Sequence, residues 1–258
     1  MMTTKVGKFL IRLVFFGILL ATISLGIQCS GIPNEPPRFQ YPGFRTKCIF
    51  LENFDSVSDP QWQLEGAGTA EILEDSSLIV RPATDSLGII VWTDQEFKGY
   101  YQLEYQLYLP DTMGLHILFV AATGLNGENI FEMERAQPGA YETYTDGQLK
   151  NYQLSMHSYD LQGKHHDHSR LRKNPGNLLL SHIPEDPCEA HRWYTIDFIK
   201  TGNRLRLYVD GKAFHDFRDK GDRKNQYDRG RIGFWFNGIA DRFSARLKNI
   251  RVYKLIPD

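Results

Sequence analysis

From Tyr100 to Leu109 apolar and polar residues alternate. Tyr101, Leu103, Tyr105, Leu107 and Leu109 share one parity, and Gln102, Glu104, Gln106 and Tyr108 the other. Successive side chains of a strand leave opposite faces of a sheet, so this spacing predicts a half-buried antiparallel strand. Similar period-two or short apolar runs predict strands at Thr69 to Leu73, Leu78 to Arg81, Ile89 to Trp92, Leu115 to Ala121, Tyr152 to His157, Tyr194 to Lys200, Arg204 to Val209, Arg231 to Phe236 and Ser244 to Leu255. No segment sustains a helical period. Turn chemistry separates the runs, as at Thr201-Gly202-Asn203 and at Asp210-Gly211, where the Asp-Gly pair supplies the positive φ of a tight hairpin. Many short strands in one chain of 258 residues predict an all-β sandwich of two antiparallel sheets, a jelly roll with one broad face open to an extended ligand.

The N-terminus reads as an address. Lys5, Lys8 and Arg12 precede an uncharged apolar run from Leu13 to Ile27, the order of a secretory signal, which predicts export to the periplasm or cell surface. The run is shorter than the roughly 20 apolar residues a membrane-spanning helix needs, which makes a permanent anchor the weaker reading. Cys29 after Leu25-Gly26-Ile27-Gln28 resembles a bacterial lipoprotein cleavage site, although Gln28 stands where a small residue is usual. A lipid anchor on Cys29 and plain peptidase cleavage are therefore both open, and the anchor is the one membrane contact expected. Residues 1–29 are thus read as signal peptide and residues 30–47, with Pro33, Pro36, Pro37, Pro42 and Gly43, as an extended leader. That leader either lifts the domain or packs along its flank. Residues 48–258 form one domain, since composition does not shift and no repeat recurs.

Charge and cysteine content exclude several classes. The formal net charge is -1, and losing the three basic residues of the N-terminus leaves 27 positive against 31 negative side chains. No general field gathers nucleic acid. Cys48 and Cys188, far apart in sequence, are open to forming one disulfide in an oxidising compartment, and their separation rules out a zinc ribbon or a Cys-x-x-Cys redox site. His165, His166 and His168 with Asp167 crowd too closely to converge on one ion, and Lys164 and Arg170 repel a cation, so a solvated loop is expected there. No metal site and no cofactor are implied; a structural calcium ion is left open. Phosphate cradles, a Gly-x-Ser-x-Gly elbow and a dinucleotide fingerprint are missing.

The runs Leu205 to Lys212, Gly230 to Trp235 and Leu247 to Tyr253 resemble the closing strands of concanavalin A-like lectin and glucanase domains. A closer likeness covers the middle of the chain. His116 to Ala122, Gly124 to Phe131, Tyr144 through Asp146-Gly147, Tyr152 to His157 and Leu171 to Gly176 follow the order of the YesU-like family of bacterial concanavalin A-like proteins. The resemblance implies a concanavalin A-like jelly roll and a role near the breakdown of uronate-containing or plant-type polysaccharide. It names no reaction.

Asn126 to Asn174 carries more polar and aromatic groups than a sandwich core uses, and long connections between strands often build sites. One reading is a glycan cleft, in which aromatic faces stack on sugar rings while Arg, Asn and Glu bind hydroxyls or a uronate carboxylate. The other is a set of solvated or locally paired loop residues. The substrate-binding candidates are Asn126, Arg135, Tyr141, Arg172, Lys173, Asn174 and His116; the last lies in an apolar strand and either enters the binding face or is an interior histidine. Two chemistries compete. A polysaccharide lyase neutralises a carboxylate and moves two protons, for which His157 with Tyr144 or Tyr152, beside Arg172, Lys173 and Asn174, supplies the groups. A glycoside hydrolase needs two carboxyl groups roughly 5 to 9 Å apart. Glu132 and Glu134, alternating on a strand, would stand about 7 Å apart. Glu132-Met133-Glu134-Arg135 lacks the central Asp of the glucanase pattern Glu-x-Asp-x-x-Glu, which disfavours kinship with those enzymes.

The expectation is an exported, carbohydrate-active protein that binds or degrades a polysaccharide or oligosaccharide. Its alternatives are a non-catalytic glycan-binding module and a structural envelope lipoprotein. On the enzyme reading, His157, Arg172 and a Tyr hydroxyl converge within about 3 to 7 Å on one face.

Overall fold

The alternating segment is a central strand of the first sheet. The computed structural model describes residues 35–55, 60–160, 162–221 and 227–258; the signal-like segment and Cys29 lie outside the described residues. In chain order the strands are β1 (Phe44–Glu52), β2 (Trp62–Gly66), β3 (Gly68–Ile72), β4 (Leu78–Pro82), β5 (Ile89–Thr93), β6 (Phe97–Lys98), β7 (Tyr101–Tyr108) and β8 (Leu115–Gly124). A long connection carrying a 3-10 turn and one short helix, α1 (Tyr141–Thr145), leads to β9 (Leu149–Ser158), β10 (Ser169–Asn174) and β11 (Leu178–Ile183). The chain closes with β12 (Trp193–Thr201), β13 (Arg204–Val209), β14 (Lys212–Arg218), β15 (Arg229–Asn237) and β16 (Ala245–Pro257). The first sheet runs β14-β13-β12-β7-β16-β4-β3, with β1 also on β16; the second runs β11-β10-β9-β8-β15-β5-β2, with β6 on β15. Strand pairs throughout are antiparallel, as in β12 on β7 and β8 on β9. The expected two-sheet jelly roll is the fold observed.

Tyr101, Leu103, Tyr105 and Leu107 point inward and meet Leu118, Val120, Leu154, Met156, Phe234 and Phe236 of the second sheet. The second sheet is buried on its outer side too. There Ile90, Trp92, Ile117, Phe119 and Trp235 pack against Ile130 and Tyr144 of the β8–β9 connection. Burial on both faces accounts for the unbroken apolar run from Ile117 to Ala122, where a strand with one wet face would alternate.

The polar parity of β7 is also covered, because the leader packs on the outer side of the first sheet. The Arg38 amide donates to Glu104 Oε2 at 2.6 Å, and Gln102 Nε2 donates to the Phe39 carbonyl at 2.7 Å. Phe39 lies 4.4 Å from Tyr208, and the Arg206 guanidinium sits 4.8 Å over Tyr41. Arg206 is therefore buried, while Arg204 and Tyr208 on the same parity of β13 are partly exposed. β1 begins at Phe44 and pairs with β16 as far as Pro257.

Cys48 and Cys188 are free thiols, one on β1 and the other in the loop before β12, so the disulfide left open by the sequence does not form. Burial pushes both thiols up and keeps them protonated and unreactive. At the open edge between β11 and β14, His215 Nε2 donates to the Ser169 hydroxyl at 2.9 Å, and its Nδ1 accepts from Ser181 at 3.0 Å. Desolvation lowers His215 to about 4, against 6.5 for an ordinary imidazole. The sign follows from linkage: a depressed folded-state value gives stability that is present above 6.5 and lost as pH falls toward 4, because the unfolded chain takes the proton first. Replacing His215 by Gln removes that dependence. The stability gap between wild type and variant, read by urea unfolding at stepped pH, should narrow by up to about 1.4 kcal/mol per unit on acidification through this window.

Candidate functional site

Across β9 and β10 the register sets Gln153 opposite Arg172 and Asn151 opposite Asn174. Their parity is opposite to that of Tyr152, Leu154 and Leu171, which face the core, so all four side chains leave the outer side of the second sheet. The β8–β9 connection returns over this side and α1 settles on it. Gln153 Nε2 donates to the Tyr141 hydroxyl at 3.0 Å, which itself donates to Asn177 Oδ1 at 3.2 Å. Arg172 Nη1 donates to the Asn177 carbonyl at 2.8 Å. Asn174 Nδ2 bridges Asn151 Oδ1 at 2.8 Å and Gln153 Oε1 at 3.1 Å, while its own Oδ1 is buried without a partner among the described residues. Asn151, Gln153 and Asn174 are buried; Tyr141, Arg172 and Asn177 are half-buried. Trp235 flanks the group, its ring 6.1 Å from Tyr141. Neither Arg172 nor Arg170, two positions earlier on the same side of β10, has a carboxylate in ion-pairing reach among the described residues.

One carboxylate holds the connection in place beside this cluster. Glu65 Oε1 accepts from Arg135 Nε at 2.5 Å and from the Tyr144 hydroxyl at 2.8 Å. Its Oε2 accepts from Arg135 Nη2 at 2.6 Å and from Trp92 Nε1 at 2.8 Å. The pair is nearly buried, with side chains 10% and 12% exposed for Glu65 and Arg135. Four charge-assisted or buried bonds on two oxygens leave Glu65 little capacity for a ligand.

Of the residues predicted from the sequence, Tyr141, Arg172 and Asn174 come together. The rest do not. His157 is fully buried, with a positive φ of 51° and with Nδ1 donating to the Cys188 carbonyl at 3.2 Å. Burial lowers it to about 4. It lies four positions along β9 from Gln153, about 13 Å at the rise of a strand. Tyr144 is committed to Glu65 and Gly139. Tyr152 faces the core and donates to Asp219 at 2.7 Å. Burial pushes both phenols up, away from proton transfer near neutrality. The expected convergence of His157, Arg172 and one of these phenols is therefore corrected: His157 and Tyr152 are taken into the interior and Tyr144 is bound to Glu65, while Arg172 stands on the outer side of β10.

Lys173 likewise turns inward, ion-paired with Asp219 at 2.7 Å and 4.8 Å over the Tyr227 ring. His116 is an interior histidine. Its Nδ1 donates to the Trp235 carbonyl at 3.2 Å, Nε2 accepts from Tyr105 at 3.0 Å, and burial lowers it to about 3. Glu132 and Glu134 are not on a strand, because Ile130–Glu132 is a 3-10 turn followed by loop. Both are exposed, and Glu132 accepts from Asn129 at 3.1 Å. Asn126 sits in the turn after β8, donating to Glu128 at 2.9 Å, beside a cleft of about 470 Å³ lined also by Lys150 and Arg229. Arg135 serves the connection rather than a ligand. Among the described residues no three His, Cys, Asp or Glu side chains are grouped as metal ligands.

The residues the sequence reading missed are Asn151, Gln153 and Asn177. A signal existed for two of them, since carrying the strand back to Leu149 puts Asn151, Gln153 and Ser155 on one parity of an otherwise apolar segment. Asn177 follows the turn after β10 and carries none.

The family model described as domain of unknown function DUF1961 matches residues 47–252, most of the sandwich. The chain belongs to this family. It is 25% identical over 195 residues to the uncharacterized protein YesU of Bacillus subtilis strain 168, covering 72% of this chain and 88% of that one. Among solved structures it is similar to a Bacillus subtilis protein of unknown function with a galectin-like fold, with a TM-score of 0.73 and 22% identity over 83% of this chain and all of that one. It is also similar to an endo-β-1,3-glucanase from Pyrococcus furiosus, with a TM-score of 0.57 and 13% identity over 88% and 100% of the two chains. The κ-carrageenase of Pseudoalteromonas carrageenovora, solved with an oligosaccharide of κ-carrageenan, superposes with a TM-score of 0.55 at 11% identity over 86% and 99%. At these identities the structural likenesses establish the sandwich fold.

Removing the Glu65 carboxylate should release the connection. Glu65→Ala leaves the Arg135 guanidinium buried without its counter-charge, and a loss of about 3 to 5 kcal/mol is expected on thermal or urea unfolding. Hydrogen exchange should rise first across residues 125–148.

Proposed function

We propose that the protein binds an acidic saccharide on the outer side of its second sheet, at the half-buried cluster of Tyr141, Arg172 and Asn177, which buried Gln153 supports from below. The observation that carries this is the meeting of a phenol, two carboxamides and a guanidinium at one place, with the guanidinium free of any carboxylate among the described residues. Amide and phenol groups suit sugar hydroxyls, which donate and accept; a planar guanidinium suits a carboxylate or sulfate on the ring. The glucanase and the carrageenase with its bound oligosaccharide, built on the same sandwich, support a sugar as the ligand class. Calorimetric titration with a uronate-containing oligosaccharide and its neutral counterpart tests the reading. Arg172→Ala should weaken the acidic ligand about tenfold or more and leave a neutral one little changed. Equal affinity of wild type and variant for every acidic glycan removes Arg172 from the site.

A lyase reaction is the second reading, favoured by the position of the Tyr141 hydroxyl among those same groups. There Arg172 and Asn177 would face the uronate carboxylate while the phenol moves the proton. Turnover of a uronate glycan, followed by the ultraviolet absorbance of the unsaturated product, should vanish in Tyr141→Phe while binding persists. Absence of turnover in the wild type with binding retained leaves the module reading. Export by the basic and apolar N-terminal segment, with a lipid on Cys29, belongs to the same proposal and is supported by the order of those residues. The mass of the mature N-terminal peptide checks it.

A further inference from the structure

The outer side of the first sheet carries a contact that the saccharide reading does not use. Residues 35–43 lie along it without belonging to a strand, held by a small number of specific bonds. Beneath them Glu104 of β7 and Asp197 of β12 stand directly opposite one another in register, two acids side by side on one face. Both are almost fully buried, Asp197 at 1% exposure and Glu104 at 3%. The leader reads this pair through Gln102 and Arg38. Gln102 Nε2 donates to Asp197 Oδ1 at 2.7 Å and to the Phe39 carbonyl at 2.7 Å, while the Arg38 amide takes Glu104. Arg38 Nη1 reaches the Thr195 hydroxyl at 3.4 Å, and Arg251 pairs with Glu35 at 3.3 Å.

We propose that this face is a docking site for an extended peptide, occupied by the chain's own leader, and that docking is coupled to the uptake of one proton by the Glu104–Asp197 pair. Geometry supplies the reason. A docked leader strips water from two adjacent carboxyl groups, and like charges so placed resist being ionised together. The surrounding groups are too few to offset this. Arg38 lies on the leader, Tyr208 of β13 stands opposite Asp197 in register with Arg206 two positions before it, Arg251 of β16 stands opposite Glu104, and Tyr253 on β16 and buried Cys48 on β1 act on Glu104. Arg206 is shared with Asp216 and Arg251 with Glu35. In keeping with this, burial raises Asp197 from 3.8 to about 7.

The direction follows. With the leader lifted, Asp197 meets water and returns toward its ordinary value, so the docked state holds the proton more tightly. Docking is strongest at acid pH, weakens as pH rises through the interval between the two values, and levels off once Asp197 is ionised in both states. Release frees the stretch from Glu35 to Gly43, which spans about 30 Å when extended. Whatever holds the N-terminus, the sandwich then gains that reach.

Hydrogen exchange on the full chain tests this, with the Arg38 amide as reporter and the Leu103 amide as a core reference, each normalised to its intrinsic rate at every pH. Protection of Arg38 should fall by up to about tenfold per unit from pH 5 to 7 and flatten above, with no matching fall at Leu103. In Asp197→Asn that slope should disappear. A wild-type Arg38 profile that is flat or rises with pH overturns the proposal, as does a slope that survives in Asp197→Asn. Should that variant lose core protection, the Asp197 carboxyl carbon shift in the wild type decides: a midpoint near the ordinary 3.8 with the leader docked overturns the proposal.

Discussion

The two oxygens of Glu65 decide how the outer layer of this protein is built. Arg135 and Tyr144 reach them from the β8–β9 connection, and Trp92 from the sheet below. A buried ion pair of this kind gains from mutual attraction only when its remaining hydrogen-bonding capacity is met, and here the phenol and the indole meet it. Because the connection is pinned at that point, Ile130 and Tyr144 close over Trp92, Phe119 and Trp235, and a sheet that would have had one wet face is buried on both. The same placement delivers α1 to β9 and β10. Tyr141 then meets Gln153 and Asn177.

The outer side of the second sheet is therefore divided. Over β5, β15 and most of β8 it is apolar and covered; over β9 and β10 it is polar and partly open. The division has a chemical consequence. Groups that fully satisfy one another, such as Arg135 with Glu65, have no free energy left for a ligand, whereas Arg172 rests on a single carbonyl and retains donors for an acid group. Buried Asn151, Gln153 and Asn174 orient the half-buried Tyr141 and Arg172 from below, the arrangement expected where polar side chains must hold a fixed geometry at a surface.

Both sheets thus have outer sides covered in part by irregular chain, by different means. The β8–β9 connection is held by an apolar cluster and a saturated ion pair. The leader is held by a few hydrogen bonds to two adjacent acids, of which Asp197 is raised by burial. The first arrangement costs several kcal/mol to open, whereas the second is sensitive to a single proton. Stability is distributed accordingly, with the core strands at the high end and the leader at the low end.

Period-two alternation at Tyr101 to Leu109 determined the class of fold, because a strand's geometry leaves no other way to put Leu103, Tyr105 and Leu107 on one side. Fully buried strands such as β8 were legible as continuous apolar runs. The edge strands β11 and β14 were not, since they bury few side chains and their polar residues carry no pattern. For the site, the sequence supplied residue types and the region between Asn126 and Asn174. Tertiary structure alone decided which of them met. His157, Tyr152 and Lys173 were consumed by the interior, and Tyr141, Arg172 and Asn174 were joined by Gln153 and Asn177. Direction along a strand is set locally, but what stands opposite a side chain depends on register, bulges and the path of a distant connection, and these are settled only when the sheets pair and pack.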